Sequence, residues 1–165
     1  MSVRENSQCQ YEVTFPTSLV CESPNGDPCG VADYDFSAIS LTGEDHYYGS
    51  DTNGFDYQFN ICAGVTSMCG PASRLVTAYQ YDDEFVPETC QALGDIAVVE
   101  PPYWRVDTDG NPRVTYYGGS ECDGDYRNVT YIFRCAPSLY PSGSHVFREV
   151  SPCAYEVDVH TSLAC

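Results

Sequence analysis

Apolar and polar residues alternate along this chain in short runs, and Gly, Pro, Asn and Asp interrupt the runs at intervals of about ten residues. No stretch repeats its apolar positions at helical spacing. The pattern predicts strands over 34–41, 56–62, 74–81, 97–100, 103–106, 113–117, 127–135, 145–150 and 154–159. Strands so short and so regularly punctuated build an all-β domain, either a flattened β-barrel or two packed antiparallel sheets. The clearest alternation runs through 127–135, where Arg127, Val129, Tyr131 and Phe133 share one face and Asn128, Thr130, Ile132 and Arg134 the other. An arginine at the end of an otherwise apolar face belongs where a barrel opens. Asp107-Thr-Asp-Gly-Asn-Pro112, between two predicted strands, has the composition of a tight hairpin turn, because Gly and Asn tolerate positive φ.

The chain also repeats itself. Arg4 to Cys21 aligns without a gap to Arg148 to Cys165 at an offset of 144 residues, and eleven of the eighteen positions are identical. A period that long describes whole domains in series rather than a solenoid. The expected organisation is the tail of a preceding copy over 1–21, a turn-rich linker over 22–28 and one whole domain over 29–165. Met1 to Asn6 lacks the apolar stretch of a secretion signal, so the chain reads as an excerpt of a longer precursor.

Composition narrows the function. Ten cysteines among 165 residues, widely spaced and with no Cys-x-x-Cys pair, point to disulfides rather than zinc. They place the chain in the secretory lumen or outside the cell. The net charge is −17, and the seven basic residues are all arginine, so phosphate backbones and anionic lipid surfaces are repelled. No nucleic-acid partner and no membrane contact by this segment are expected. No segment reaches the roughly 20 apolar residues of a membrane-spanning helix.

From about Cys29 to Cys165 the residues resemble the mannose 6-phosphate receptor homology (MRH) domains, the P-type lectins. The resemblance rests on Cys29 followed by Asp35-Phe-Ser-Ala-Ile-Ser-Leu41, on Tyr57-Gln-Phe-Asn-Ile-Cys62 and on Gln91-Ala-Leu-Gly94. Its most specific part is C-terminal, where Tyr117-Gly-Gly precedes Cys122, Arg127 follows, Cys135 lies eight further, and Cys153-x-Tyr155 leads to Cys165. The whole is similar to one repeat of the multidomain cation-independent receptor, which implies a larger, membrane-anchored parent in the Golgi, endosome or lysosome. It implies the disulfide-stapled all-β fold and the pairs Cys29–Cys62, Cys69–Cys90, Cys122–Cys153 and Cys135–Cys165. Cys9 and Cys21 would then belong with the preceding copy, and in this excerpt they are free or joined to each other.

The resemblance further implies a site for mannose or mannose 6-phosphate-type N-glycans made by Gln80, Arg127, Glu149 and Tyr155. Gln91 competes with Gln80 for its place, and Gln80 is preferred because Gln91 abuts Leu93-Gly94. These four side-chain types suit vicinal hydroxyls, which both donate and accept: Arg127 supplies forked donors, Glu149 accepts, Gln80 does either and Tyr155 adds a hydroxyl. The expected partners are mannose-bearing N-glycans on glycoproteins and adjacent repeats of the same chain, in glycoprotein or lysosomal enzyme sorting. In the loop where family members contact phosphate, Glu121, Asp123 and Asp125 repel an anion unless a divalent cation bridges Asp123 or Asp125 to it; no other cofactor or metal is expected. Asn128-Val-Thr130 is a glycosylation sequon whose asparagine points away from the Arg127 face.

Two rival readings remain at this point. A structural or protein-binding receptor repeat would keep the fold without sugar affinity. An enzyme would need a nucleophile with a base or two opposed carboxylates, and no motif surrounds His46, His145 or His160, so none is expected.

Overall fold

The computed structural model describes residues 29–43, 45–65, 75–82, 90–96, 102–139 and 145–165, together with the backbone strands at 2–5 and 11–14. Asp35 shows how local chemistry shapes the first part of the domain. After the short hairpin β3 (Gly30–Val31) and β4 (Tyr34–Asp35), its Oδ1 accepts from Ser37 N at 2.9 Å and turns the chain into a 3₁₀ turn over Ser37–Ile39. The expected strand over 34–41 is therefore confined to its first two residues. Phe36 and Ile39 enter the core, and the Asn60 side chain holds the segment's end, accepting from Leu41 N at 3.0 Å and donating to Leu41 O at 2.9 Å.

One sheet of four antiparallel strands follows, ordered β5 (Tyr47–Ser50), β6 (Asp56–Phe59), β7 (Val76–Tyr81), β8 (Gln91–Asp95). β5 and β8 are not among the predicted strands. The second sheet holds five strands in the order β14-β15-β13-β10-β9, with β9 (Tyr103–Val106), β10 (Pro112–Tyr116), β13 (Asn128–Cys135), β14 (His145–Ser151) and β15 (Ala154–Thr161). Within it β13 and β15 run parallel, Asn128 opposite Ala154 and Cys135 opposite Thr161, and β14 provides the return. A small hairpin, β11 (Glu121–Cys122) and β12 (Asp125–Tyr126), stands between β10 and β13. Asp123 and Gly124 form its turn, both at positive φ as a two-residue hairpin requires. The predicted turn between β9 and β10 is also present, with Asp107 Oδ1 accepting from Asp109 N at 3.0 Å and Asn111 N at 2.8 Å. The predicted run over 97–100 lies outside the described residues.

The sheets pack face to face. β13 buries Val129, Tyr131 and Phe133 against Phe36, Phe59, Leu93 and Phe147, as its alternation requires. Aromatic rings carry much of this core: Phe36 stacks on Phe133 at 3.8 Å and Tyr57 on Phe147 at 4.1 Å between centroids. The deeply buried hydroxyl of Tyr131 on β13 is satisfied, since it donates to Thr77 O at 3.1 Å across the layers. At one side β8 closes on the end of β10, where Asp95 N donates to Tyr117 O at 2.8 Å. The approach is so close that a Cβ at Gly94 would meet Tyr116 Cβ at 2.7 Å, which makes the pair of sheets a flattened barrel.

The outer face of the larger sheet pairs three of the seven arginines. Arg113 pairs with Asp107 and Glu156, Arg148 with Glu156 and Asp158, and Arg134 with Asp158, so the arginines of β10, β13 and β14 form one alternating ladder. Disulfides join Cys29 to Cys62, Cys122 to Cys153 and Cys135 to Cys165. Cys69, expected to pair with Cys90, lies outside the described residues, as do Cys9 and Cys21.

Ahead of the domain, β1 (Ser2–Glu5) and β2 (Tyr11–Thr14) form an antiparallel hairpin. Its register sets Ser2 opposite Thr14, Val3 opposite Val13, Arg4 opposite Glu12 and Glu5 opposite Tyr11. Shifted by the 144 residues of the sequence repeat, these are the β14–β15 partners Val146–Asp158, Phe147–Val157, Arg148–Glu156 and Glu149–Tyr155. The two hairpins share sequence and register together.

Candidate functional site

At one end of the barrel lies a cavity of about 220 Å³, lined by Phe55, Gln80, Tyr81, Asp82, Gln91, Arg127, Glu149 and Tyr155. All four residues expected to hold the sugar are on this wall, brought from four different strands or strand ends. Gln80 comes from β7, Arg127 immediately precedes β13, and Glu149 and Tyr155 are cross-strand partners on β14 and β15.

Two of the four are positioned by the core. Gln80 and Tyr155 are buried, and the Tyr155 hydroxyl donates to Gln80 Oε1 at 3.1 Å. The amide of Gln80 donates to Tyr57 Oη at 3.1 Å, and Tyr57 donates to Asp51 Oδ2 at 2.8 Å. Asp51 is itself oriented by the backbone N–H groups of Asn53 and Phe55 on its other oxygen. Every hydrogen in this relay points toward the Asp51 carboxylate, so the direction of each bond is determined and the Tyr155 oxygen is left as an acceptor beside the Arg127 guanidinium. Burial raises the phenol pKa of Tyr57, with the Asp51 bond adding to it. Burial likewise raises that of Tyr155, while Arg127 beside it acts in the opposite sense.

The other two are held differently. Arg127 is half-buried; its N–H donates to Ser120 O at 3.0 Å, its carbonyl accepts from Gly119 N at 2.8 Å, and its Nη1 donates to Glu121 O at 2.8 Å. Its Nε is buried and has no hydrogen-bond partner among the described residues. Glu149 is exposed, and its Oε1 accepts from Cys153 N at 3.1 Å. The cavity thus combines a donor fork, two carboxylates, two amides and two tyrosines.

Phe55, Tyr81, Asp82 and Gln91 are not assigned to the site from sequence. Gln91 enters there only as a rival of Gln80, yet the two are cross-strand partners on β7 and β8 and both reach the cavity. Asp82 follows the last residue of β7, a position with no sequence signal of its own. The acidic turn carries Asp123 at its tip, and Asp125 Oδ1 accepts from Tyr126 N at 2.8 Å. Among the described residues, no three His, Cys, Asp or Glu side chains are grouped to hold a metal ion. No described helix is long and apolar enough to cross a membrane. Asn128 points to the face opposite the core, as its alternation predicts.

Comparison with solved structures accounts for this architecture. Chicken IGF2R domain 11 superposes with a TM-score of 0.61 at 19% identity, covering 80% of this chain and 83% of that one. Domain 11 of the echidna receptor gives a TM-score of 0.56 at 22% identity, over 80% of this chain and 86% of that one. The fold is that of a mannose 6-phosphate receptor homology domain. The MRH domain of Yos9, solved with alpha3,alpha6-Man5, is also similar, with a TM-score of 0.49 at 19% identity over 79% of this chain and 80% of that one. No family model and no curated protein matches the sequence. Within the MRH fold, the Gln80–Tyr155 pair spans the two sheets at the barrel mouth, and Arg127 and Glu149 flank it.

Proposed function

We propose that this MRH domain is a lectin module that binds a mannose-type unit of N-glycans through Gln80, Arg127, Glu149 and Tyr155. The observation that carries the reading is the convergence of Gln80, Arg127, Glu149 and Tyr155, from four separate strands or strand ends, on the wall of one cavity. The guanidinium of the half-buried Arg127 offers charged donors to sugar hydroxyls placed in the cavity. Glu149 and the Tyr155 lone pairs accept from adjacent hydroxyls, while the free valences of Gln80 and Gln91 serve either role. Discrimination against an epimer follows from geometry, because a displaced hydroxyl leaves these groups unmatched.

Immobilised mannose tests this reading. The chain is expected to bind with weak, monosaccharide-inhibitable affinity, and Arg127→Lys, which keeps the charge but loses the planar fork, is expected to abolish binding with the fold intact. Equal binding by parent and variant, or none by the parent, refutes the site.

We further infer that the β1–β2 hairpin ends a preceding copy of the domain in a tandem receptor of the secretory pathway, where neighbouring repeats are partners and glycoprotein sorting is the role. Its support is the shared register with β14–β15, which pairs Glu5 with Tyr11 as Glu149 is paired with Tyr155.

A further inference from the structure

Gln80 and Tyr155 are buried and hydrogen-bonded to each other, so the core orients them whatever happens at the surface. Glu149 has no such support, and among the described residues Arg127 meets the core only through its contact with the Tyr155 hydroxyl. Arg127 is half-buried, and Glu149 is exposed and stands beside the register shift between Glu149 and Ser151 on β14. Long charged side chains in such places sample many rotamers unless something fixes them.

What fixes both is a single covalent bond. The guanidinium donates to the carbonyl of Glu121, the residue before Cys122, at 2.8 Å, and the carboxylate accepts from the N–H of Cys153 at 3.1 Å. Cys122 and Cys153 are joined to each other. Cys153 holds φ at 68° in the turn between β14 and β15, a left-handed conformation that L side chains rarely adopt and that aims its N–H at Glu149. We propose that the Cys122–Cys153 disulfide is the positioning element of the site, holding the arginine and the carboxylate of the sugar pocket at one fixed spacing. This rests on the sugar-binding reading and assigns that site a dependence on one particular disulfide.

A second disulfide provides the control. Cys135–Cys165 ties the far end of β13 to the 3₁₀ turn after β15 with a sequence separation of 30, against 31 for Cys122–Cys153. Loops of nearly equal length lose nearly equal stabilisation when opened, so the two bonds are alike in their effect on the unfolded chain. They differ in where they lie. The hydrogen bonds of Arg127 and Glu149 lead to Cys122 and Cys153, whereas Cys135 and Cys165 sit at the opposite end of β13 from the cavity.

The experiment compares C122S/C153S and C135S/C165S in the whole chain, with α-methyl mannoside as ligand, at a temperature where near-ultraviolet circular dichroism shows both folded. The first is expected to lose at least tenfold in affinity and the second less than twofold, with similar falls in melting temperature. Parent-like binding by C122S/C153S, or equal losses in both variants, overturns the proposal. Should C122S/C153S not fold, C122A/C153G keeps the turn, because glycine accepts positive φ, and is expected to show the same loss. Side-chain NMR of Arg127 gives a readout independent of sugar. Its Nε–H exchange should be slow in the parent and fast only when Cys122–Cys153 is absent, and exchange unchanged by that loss overturns the positioning role. A parent that binds no mannoside but shows this exchange difference refutes the sugar reading alone.

Discussion

Tyr155 of β15 donates its hydroxyl hydrogen to Gln80 Oε1 of β7 at 3.1 Å, linking the two sheets at the mouth of the barrel. The bond orients both side chains for a ligand and leaves the phenolic oxygen as an acceptor. Tyr155→Phe keeps the ring and removes the bond. It is expected to lower mannose affinity roughly tenfold or more and to cost about 1–2 kcal/mol of stability, because the buried Gln80 oxygen loses its partner. Titration calorimetry and chemical denaturation of the same variant check both numbers.

Gly119 lies against Arg127 itself, its N–H donating to Arg127 O at 2.8 Å. A Cβ there would collide with Ala92 O and meet Arg127 O at 2.7 Å and Arg127 Cβ at 2.8 Å. Gly119→Ala must push the β11–β12 hairpin away from β8 or displace Arg127. A destabilisation of about 1–3 kcal/mol with a larger proportional loss of mannose binding is expected, measured by urea denaturation and by binding below the transition.

His145 sits between Tyr47 and Phe59, with ring centroids 5.0 and 4.9 Å away, and its Nδ1 is buried without a partner among the described residues. Burial, and to a lesser degree the neighbouring His160, lowers its pKa from 6.5 to about 4. The unfolded chain therefore binds a proton here that the folded one does not, and stability is full above pH 6.5 and is lost as pH falls toward 4. The loss is on the order of 2 kcal/mol once screening at this partly exposed ring is allowed for. His145→Phe keeps the aromatic contacts and cannot titrate, so its melting temperature should change less over that range; parallel slopes for parent and variant would contradict this account.

Charge at the cavity sets the expected ligand. Asp82 and Glu149 stand on its wall with Arg127 as the single cation among the described lining residues, and Arg113 is committed to Asp107 and Glu156. A phosphomonoester brings a charge of roughly −1.5 to −2, which this lining does not neutralise. In chelator, mannose 6-phosphate is expected to bind no more than a few-fold better than mannose in competition isotherms. A preference of a hundredfold would require a cation such as Arg74, which lies outside the described residues.

What the sequence determined by itself is what repeats locally or by spacing. Alternation at period two identified β13 and the face that buries Val129, Tyr131 and Phe133. Asp107 to Asn111 encodes its turn by side-chain bonds within five residues, and the 144-residue repeat carries its hairpin register with it. Family spacing placed Arg127, Glu149 and Tyr155 relative to Cys135 and Cys153. Only the tertiary structure decided the rest. β5 and β8 carry weak alternation and become strands because β6 and β7 offer them unpaired edges. Run 34–41 reads as a strand, yet Asp35 and Asn60 bend it so that Phe36 and Ile39 reach the core. Asp82 and Gln91 join the cavity through the register of β7, and Asp51 orients Gln80 through Tyr57. Such relations depend on which strands meet and in what register. That is decided by burial summed over the whole core, a quantity that no local window of residues contains.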